Sequence, residues 1–493
     1  MSEPGAVPDG PVRPVAAALA RYAGLAGAVL LTVAGWLGGA LPDTPAVTSL
    51  ADAGRAPHGP AVLGCWLVGT VLLVGAWWSL RWGAPSGRWA YLTAALWLLP
   101  LLAAPPLGSR DVYSYACQGW SWTHGADPYR VGVVAAGCPW ADSVSPIWRD
   151  TPAPYGPFFV LLAGLAVLLG GGLVGAIVLL RVVAVAGVLL AAFCLPGLAR
   201  AVGVPTRRAV WLALACPLIG VHLVAGAHND AVGLGLLLSG LLLLVRRPGR
   251  PRALVVAGVL LGLAVAVKAV AVVVLPFAAL AAVSGRHTWR ALLRDGGWLA
   301  GGVLAALVLS SLATGLGLGW VRGVARSGDS EQWTSPPTAV GLVVDYAGGL
   351  AGREPDAVPV VRAVALAVLA VLLVVLWWRA WTALRRPDGD RQRSARPQVA
   401  LAGAGLALAA TVLLAPVFHP WYATWPLALL AVATVAVART VWFVAPCAVA
   451  SVLTLPDGTN LARFTKAPGA ILMTALVVAV VVAAVRARRT RRR

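Results

Sequence analysis

Fourteen times along this 493-residue chain, a run of about 15 to 26 residues passes with scarcely a charge. The runs lie near 15–40, 61–80, 89–106, 174–199, 209–225, 231–245, 253–267, 269–284, 296–315, 357–380, 398–416, 422–438, 440–455 and 467–485. About 20 apolar residues in helical form cross the hydrocarbon core of a bilayer. Inside lipid the backbone must satisfy its own hydrogen bonds, which a helix does within one segment. The chain therefore reads as an all-α polytopic membrane protein with about 14 transmembrane helices. Only 12% of its residues are charged, half the share of about 25% expected of a soluble domain.

One further apolar stretch, 156–171, is short and begins "PYGPFF". As a full crossing it would separate Arg200, Arg207 and Arg208 from the other strongly basic loops. As an interfacial helix in the first long outer loop it keeps them together, and that reading is adopted. The N-terminal segment through Arg21, the loops at 81–88, 200–208, 246–252, 286–295, 379–396 and 439, and the tail then carry 27 of 39 basic residues and five of 18 acids. The other side, at 41–60, 107–155, 226–230, 316–356 and 456–466, carries nine basic residues and 13 acids. Cytoplasmic loops are the basic ones, so both termini are expected inside and the 107–155 loop outside, in the plasma membrane. The net charge of +21 is spread in short clusters between apolar runs. It fits membrane lipids as partners and gives no nucleic-acid footprint.

The expected order is N-terminal transmembrane helices (1–106), an outer loop with the interfacial helix (107–171), a central helical group (172–315), a second outer loop (316–356), and C-terminal helices with a basic tail (357–493). Cys65, Cys194, Cys216 and Cys447 lie in apolar runs, where a small core residue is the ordinary role. Cys117 and Cys138 share the outer loop, and their spacing leaves open both a disulfide and two free thiols. No phosphate-cradling glycine loop and no zinc spacing occurs, so the cytoplasmic face has no nucleotide chemistry. Neither a cofactor nor a metal is called for.

What the chain does carry, it sends to the outer face. "SRDVYSYACQG" (109–119), "ADPYRVG" (126–132), "SPIWRDTPAPYGP" (145–157), "GAHND" (226–230), Lys268, "DSEQWTSPPTAVG" (329–341) and "FHPWY" (418–422) come from distant parts of the sequence. Ionisable residues at the ends of apolar runs are costly and are functional candidates. Asp111 alone reads equally as a helix cap. As a set the residues suit sugar transfer from a lipid phosphate: a carboxylate takes a proton from a hydroxyl, Arg and Lys hold a phosphate, and aromatic faces carry sugar rings. The lipid brings the leaving group, so no nucleotide site is required.

These motifs, in this order, resemble the actinobacterial polyprenol-phosphate-mannose-dependent α-1,6-mannosyltransferases, membrane glycosyltransferases of the GT-C superfamily. The resemblance runs from about Arg110 to Tyr422. It implies the GT-C fold and mannosyl transfer from polyprenyl-phosphate-mannose to a lipid-linked mannan acceptor, with inversion. It implies Asp111 as catalytic base, with Arg110, Lys268 and Arg181 on the donor phosphate, although Arg181 reads equally as paired with Asp230 or a backbone carbonyl. His228, Asn229, Asp230 and Asp127 are expected as polar active-site residues. Tyr113, Tyr155, Trp333, His419, Trp421 and Tyr422 are expected on the sugar and acceptor side. Another lipid-phosphate donor or linkage (arabinofuranosyl or α-1,2-mannosyl transfer) on the same fold stays open. A lipid-linked-sugar transporter, flippase or scaffold also stays open, although no paired repeat of the kind transporters carry is evident.

Overall fold

The computed structural model describes residues 14–42, 44, 47, 49–326, 330–385 and 389–490. The basic N-terminal segment before Pro14, residues 386–388 of the basic linker, Asp329 of the second outer loop and the last three arginines lie outside the described residues. Four helices, α1 (Pro14–Gly38), α2 (Leu50–Arg55), α3 (Gly59–Ser79) and α4 (Gly87–Ala103), precede the first long loop, which holds α5 (Asp111–Thr123) and α6 (Pro157–Gly170). The central group is α7 (Leu173–Val202), α8 (Thr206–Leu214), α9 (Asp230–Arg246), α10 (Pro251–Val267), α11 (Leu275–Ala282) and α12 (Trp289–Thr314). After α13 (Trp320–Arg326) and α14 (Pro336–Leu350) come α15 (Ala357–Arg385), α16 (Gly389–Leu414), α17 (Thr424–Ala433), α18 (Val441–Ala450) and α19 (Lys466–Thr490). Among the described residues there is no strand, only one isolated antiparallel bridge between Thr454 and Asn460.

Ordinary signals set the helix ends. Ser86 Oγ accepts the Trp89 N–H at 3.1 Å and Thr288 Oγ1 accepts the Ala291 N–H at 3.2 Å, satisfying donors at the starts of α4 and α12. Each of the fourteen apolar runs contains helix, yet not all are long. Among the described residues, seven helices (α1, α3, α7, α12, α15, α16 and α19) are long and apolar enough to cross a membrane, and the count is up to eight if the bent pair of α8 and the turn Ile219–Ala225 is one span. By contrast α17 and α18 have 10 residues each, about 15 Å at 1.5 Å per residue. The apolar faces of α15 and α19 are largely uncovered by protein, as lipid-facing surfaces are. The chain is an integral membrane protein.

Three close contacts bring the distant polar and aromatic motifs together. In α7 and α9, a Cβ on Gly187 would lie 2.4 Å from the Ala231 carbonyl oxygen, and one on Gly235 would lie 2.5 Å from that of Gly187. Only glycine lets the two backbones meet, as in small-residue membrane interfaces, and the crossing fixes α9 by its first turn. In α5, a Cβ on Gly119 would lie 2.5 Å from Ala163 of α6, and the Cys117–Cys138 disulfide ties α5 to the loop behind it. In the "PYGP" turn the Gly156 N–H donates to Val267 O at 3.3 Å, which sets Tyr155 beside the end of α10.

Candidate active site

Asp111 opens α5, but it does not cap it. The Ser109 hydroxyl accepts the Asp111 N–H at 3.1 Å, and no side chain makes the usual cap bond from the N-cap position. The carboxylate stands in the first helical turn, where the helix dipole favours negative charge, with the Ser109 hydroxyl beside it. A hairpin-like turn from the far end of the chain holds this segment from outside. Gly108 N–H donates to Pro456 O at 3.2 Å, and Gly458, at φ +91°, packs so that a Cβ would lie 2.9 Å from Ser109 Cα. The Asp457 carboxylate accepts the Thr459 hydroxyl at 2.7 Å and its N–H at 3.0 Å, which closes the turn.

A second carboxylate lies deeper. Asp230 begins α9 and is fully buried. Lys268 Nζ donates to both of its oxygens, at 2.9 and 2.7 Å, and Trp425 Nε1 donates at 2.7 Å. Lys268 follows the last residue of α10, where the helix gives way to a short 3₁₀ turn, and its ammonium lies 4.5 Å from the Tyr422 ring centre. Between the carboxylates stands His228, with Nδ1 3.2 Å from the Tyr115 hydroxyl, 3.8 Å from Asp111 Oδ2 and 4.0 Å from Asp230 Oδ2. Its ring packs on Trp421 at 4.0 Å, and Trp421 stacks on His419 at 4.7 Å. Burial pushes the Asp111 carboxyl up to about 6, the Lys268 charge pulling the other way and Asp230 adding to the rise. Burial, followed by the Lys268 charge, pushes His419 down to about 3, so its ring is neutral at physiological pH.

Two cavities meet at this point. One, of about 600 Å³, is walled mainly by apolar side chains such as Val273, Val412 and Val417, and also reaches Lys268, Tyr155 and Tyr422. The other, of about 530 Å³, is polar, with Arg110, Gln332, Asp457, Asn460 and Arg463 in its wall. Asp111, Trp148 and His419 border both. A carboxylate displaced upward from the usual range, where an oily chamber joins a polar one, can remove a proton from a hydroxyl entering through the polar side. Among the described residues no group of three or more His, Cys, Asp or Glu converges in a way that would hold a metal ion.

Most of the residues expected from the sequence are here. Asp111, Arg110, Lys268, Tyr155, His419, Trp421 and Tyr422 line one cavity or both, and His228, Asn229 and Asp230 form the buried layer behind them. Arg110 spends part of its guanidinium on Thr44 and on Ser143 O at 3.3 Å. Four others lie apart. Asp127 accepts the Tyr129 N–H at 2.9 Å and pairs with Arg130 at 3.2 Å, closing a surface turn. Arg181 donates to the carbonyls of Leu102, Ala104 and Ala225, the carbonyl alternative for that residue. The Tyr113 hydroxyl donates to Ala40 O. Trp333 Nε1 donates to Thr465 Oγ1 at 3.0 Å, holding the second outer loop to α19.

Sequence reasoning passed over Trp425 and the Asp457 turn, and it carried Trp148 only within "SPIWRDTPAPYGP", with no role of its own. "PDG" between two apolar runs is a turn signal with a mechanism, and the charge tally had already put it on the outer side. Trp425 carried no local signal, since 22 tryptophans are scattered through the chain.

Comparison with known proteins gives the family of the chain. The family described as "Alpha-(1->6)-mannopyranosyltransferase, N-terminal domain" matches residues 21–284, and "MptB C-terminal domain" matches residues 337–485. The chain is similar to alpha-(1->6)-mannopyranosyltransferase A of Mycobacterium tuberculosis, 35% identical over 428 residues, covering 83% of this chain and 79% of that one. A second alpha-(1->6)-mannopyranosyltransferase of the same organism is 33% identical, covering 67% of this chain and 63% of its own. A probable one of Mycolicibacterium smegmatis is 35% identical, covering 68% and 63%. The chain thus spans a little under two thirds of the length of these last two. No solved structure matches. The chain belongs to the alpha-(1->6)-mannopyranosyltransferase family and is a membrane glycosyltransferase.

Proposed function

We propose that the chain transfers mannose from polyprenyl-phosphate-mannose to a lipid-linked mannan acceptor of the lipomannan type, forming an α-1,6 link with inversion. The observation that carries this is the meeting of an apolar and a polar cavity at Asp111. The prenyl chain of the donor lies along the apolar chamber, its phosphate against Lys268. The acceptor glycan enters the polar chamber over Trp148 and His419. Asp111 takes the proton of the acceptor hydroxyl as its oxygen bonds to the anomeric carbon and the bond from that carbon to the phosphate oxygen breaks. Polyprenyl phosphate leaves, and its charge is balanced by Lys268. Asp230 positions that lysine. The names of the similar proteins support the sugar and the linkage.

In the same reading the fold is that of the GT-C superfamily, with about 14 transmembrane helices counting the short ones, and α6 lies at the interface. The basic loops face the cytoplasm with both termini, and the site opens outward. The Cys117–Cys138 pairing supports an oxidising side for this loop. The test is a membrane assay with radiolabelled polyprenyl-phosphate mannose and a short α-1,6 dimannoside, followed by linkage analysis. An α-1,6 trimannoside is expected. Transfer of label only from an arabinofuranosyl donor, or an α-1,2 product, would overturn the assignment.

A further inference from the structure

A third cavity, of about 760 Å³, lies on another side of α16, between it and the segment α17–α18. Its origin is a mismatch of lengths. The helix α16 runs 26 residues, whereas α17 stops after 10, and its end at Thr434 is followed by a 3₁₀ turn before α18. Along α16 the wall includes Gln398, Ala402, Leu406, Ala409 and Leu413, with Val412 beside them, a stripe at helical spacing about 22 Å long at 1.5 Å per residue. That exceeds half of a hydrocarbon core about 30 Å thick, enough for one extended acyl chain.

The two ends differ in chemistry. The end nearer the active site is closed by Phe418 and Ala423, and the remote end carries Gln398, Thr434 and Arg439. Among the described residues, Arg439 is exposed, no Asp or Glu lines the groove and no acid pairs with Arg439. Trp442, three residues on, is 80% exposed, as a tryptophan at headgroup level would be. A cation with no acid beside it accepts a phosphate and offers nothing to an amine. We propose that this groove is a binding site for an anionic phospholipid, with one acyl chain along α16 and the phosphate on Arg439.

Binding can be read without reference to transfer activity. The purified, delipidated full chain is titrated with phosphatidylglycerol brominated in its acyl chains, and the quenching lost in Trp442→Phe isolates the signal of this groove. The site signal is expected to saturate. Arg439→Gln should weaken it about tenfold, the loss of one charge-assisted contact, and Leu406→Trp should abolish it by filling the groove. Equal quenching by brominated phosphatidylcholine, with no effect of Arg439→Gln, would overturn the proposal and leave only non-selective annular lipid. Two variants of opposite design keep the test open where one fails to fold.

Discussion

Two carboxylates stand within reach of one histidine, and their partners separate their work. Asp230 has an ammonium on both oxygens and an indole N–H besides, so three of its roughly four acceptor positions are already taken. Asp111 has no such partner and faces both cavities. Asp111→Asn keeps the shape of the side chain and removes the base, and transfer is expected to fall by at least about a hundredfold with normal insertion. Near-normal turnover would end the assignment. Because burial holds Asp111 near 6, kcat/KM should fall about tenfold per unit as pH drops below about 6, where the folded carboxylate protonates, and stay level above it. A flat pH profile across that range would point to another base. Lys268→Met should lower kcat/KM by one to two decades through the donor KM. Asp230→Asn should do much the same, and the double variant should be little worse than either single one, since both act through one pair. Additive losses would give Asp230 a separate role.

At the scale of elements, the Asp111 segment is held from outside its own helix. The 454–460 turn, some 350 residues downstream, contributes Gly458 in the left-handed region, with Ser109 too close behind it for any side chain. Gly458→Ala both strains the backbone and pushes against Ser109–Arg110. A displacement of the base by a fraction of an ångström to one ångström costs up to about a hundredfold in rate, so kcat should fall while donor KM holds. A change confined to KM would show that the turn serves binding alone. The glycine crossing of α7 and α9 works the same way one layer deeper, because it fixes where Asp230 begins its helix.

For the whole molecule, orientation is the property most open to test. A cysteine at Asp142, whose side chain is fully exposed, should react with an impermeant maleimide in intact cells. One at Arg286, in an exposed basic loop, should react only after permeabilisation. The reverse pattern would invert the topology and with it the side on which the site opens.

The sequence by itself determined the class of the protein and which distant motifs carry its polar and aromatic residues, and it gave an expectation for the sides of its loops. Each of these depends on summed properties, apolar length and charge balance, that do not need coordinates. The tertiary structure decided which members meet. Lys268 and Asp230 are 38 residues apart and Trp425 is 195 from Asp230, and nothing local announces that the three share one carboxylate. Arg181 and Asp127 have the right chemistry, but nearby carbonyls and a surface turn claim them first. The capping reading of Asp111 was decided by where the helix begins, at Asp111 itself, with Arg110 in the cap position and no side-chain cap bond. Hydrogen bonds are short-ranged and directional, so which group satisfies which is settled only when the helices have packed.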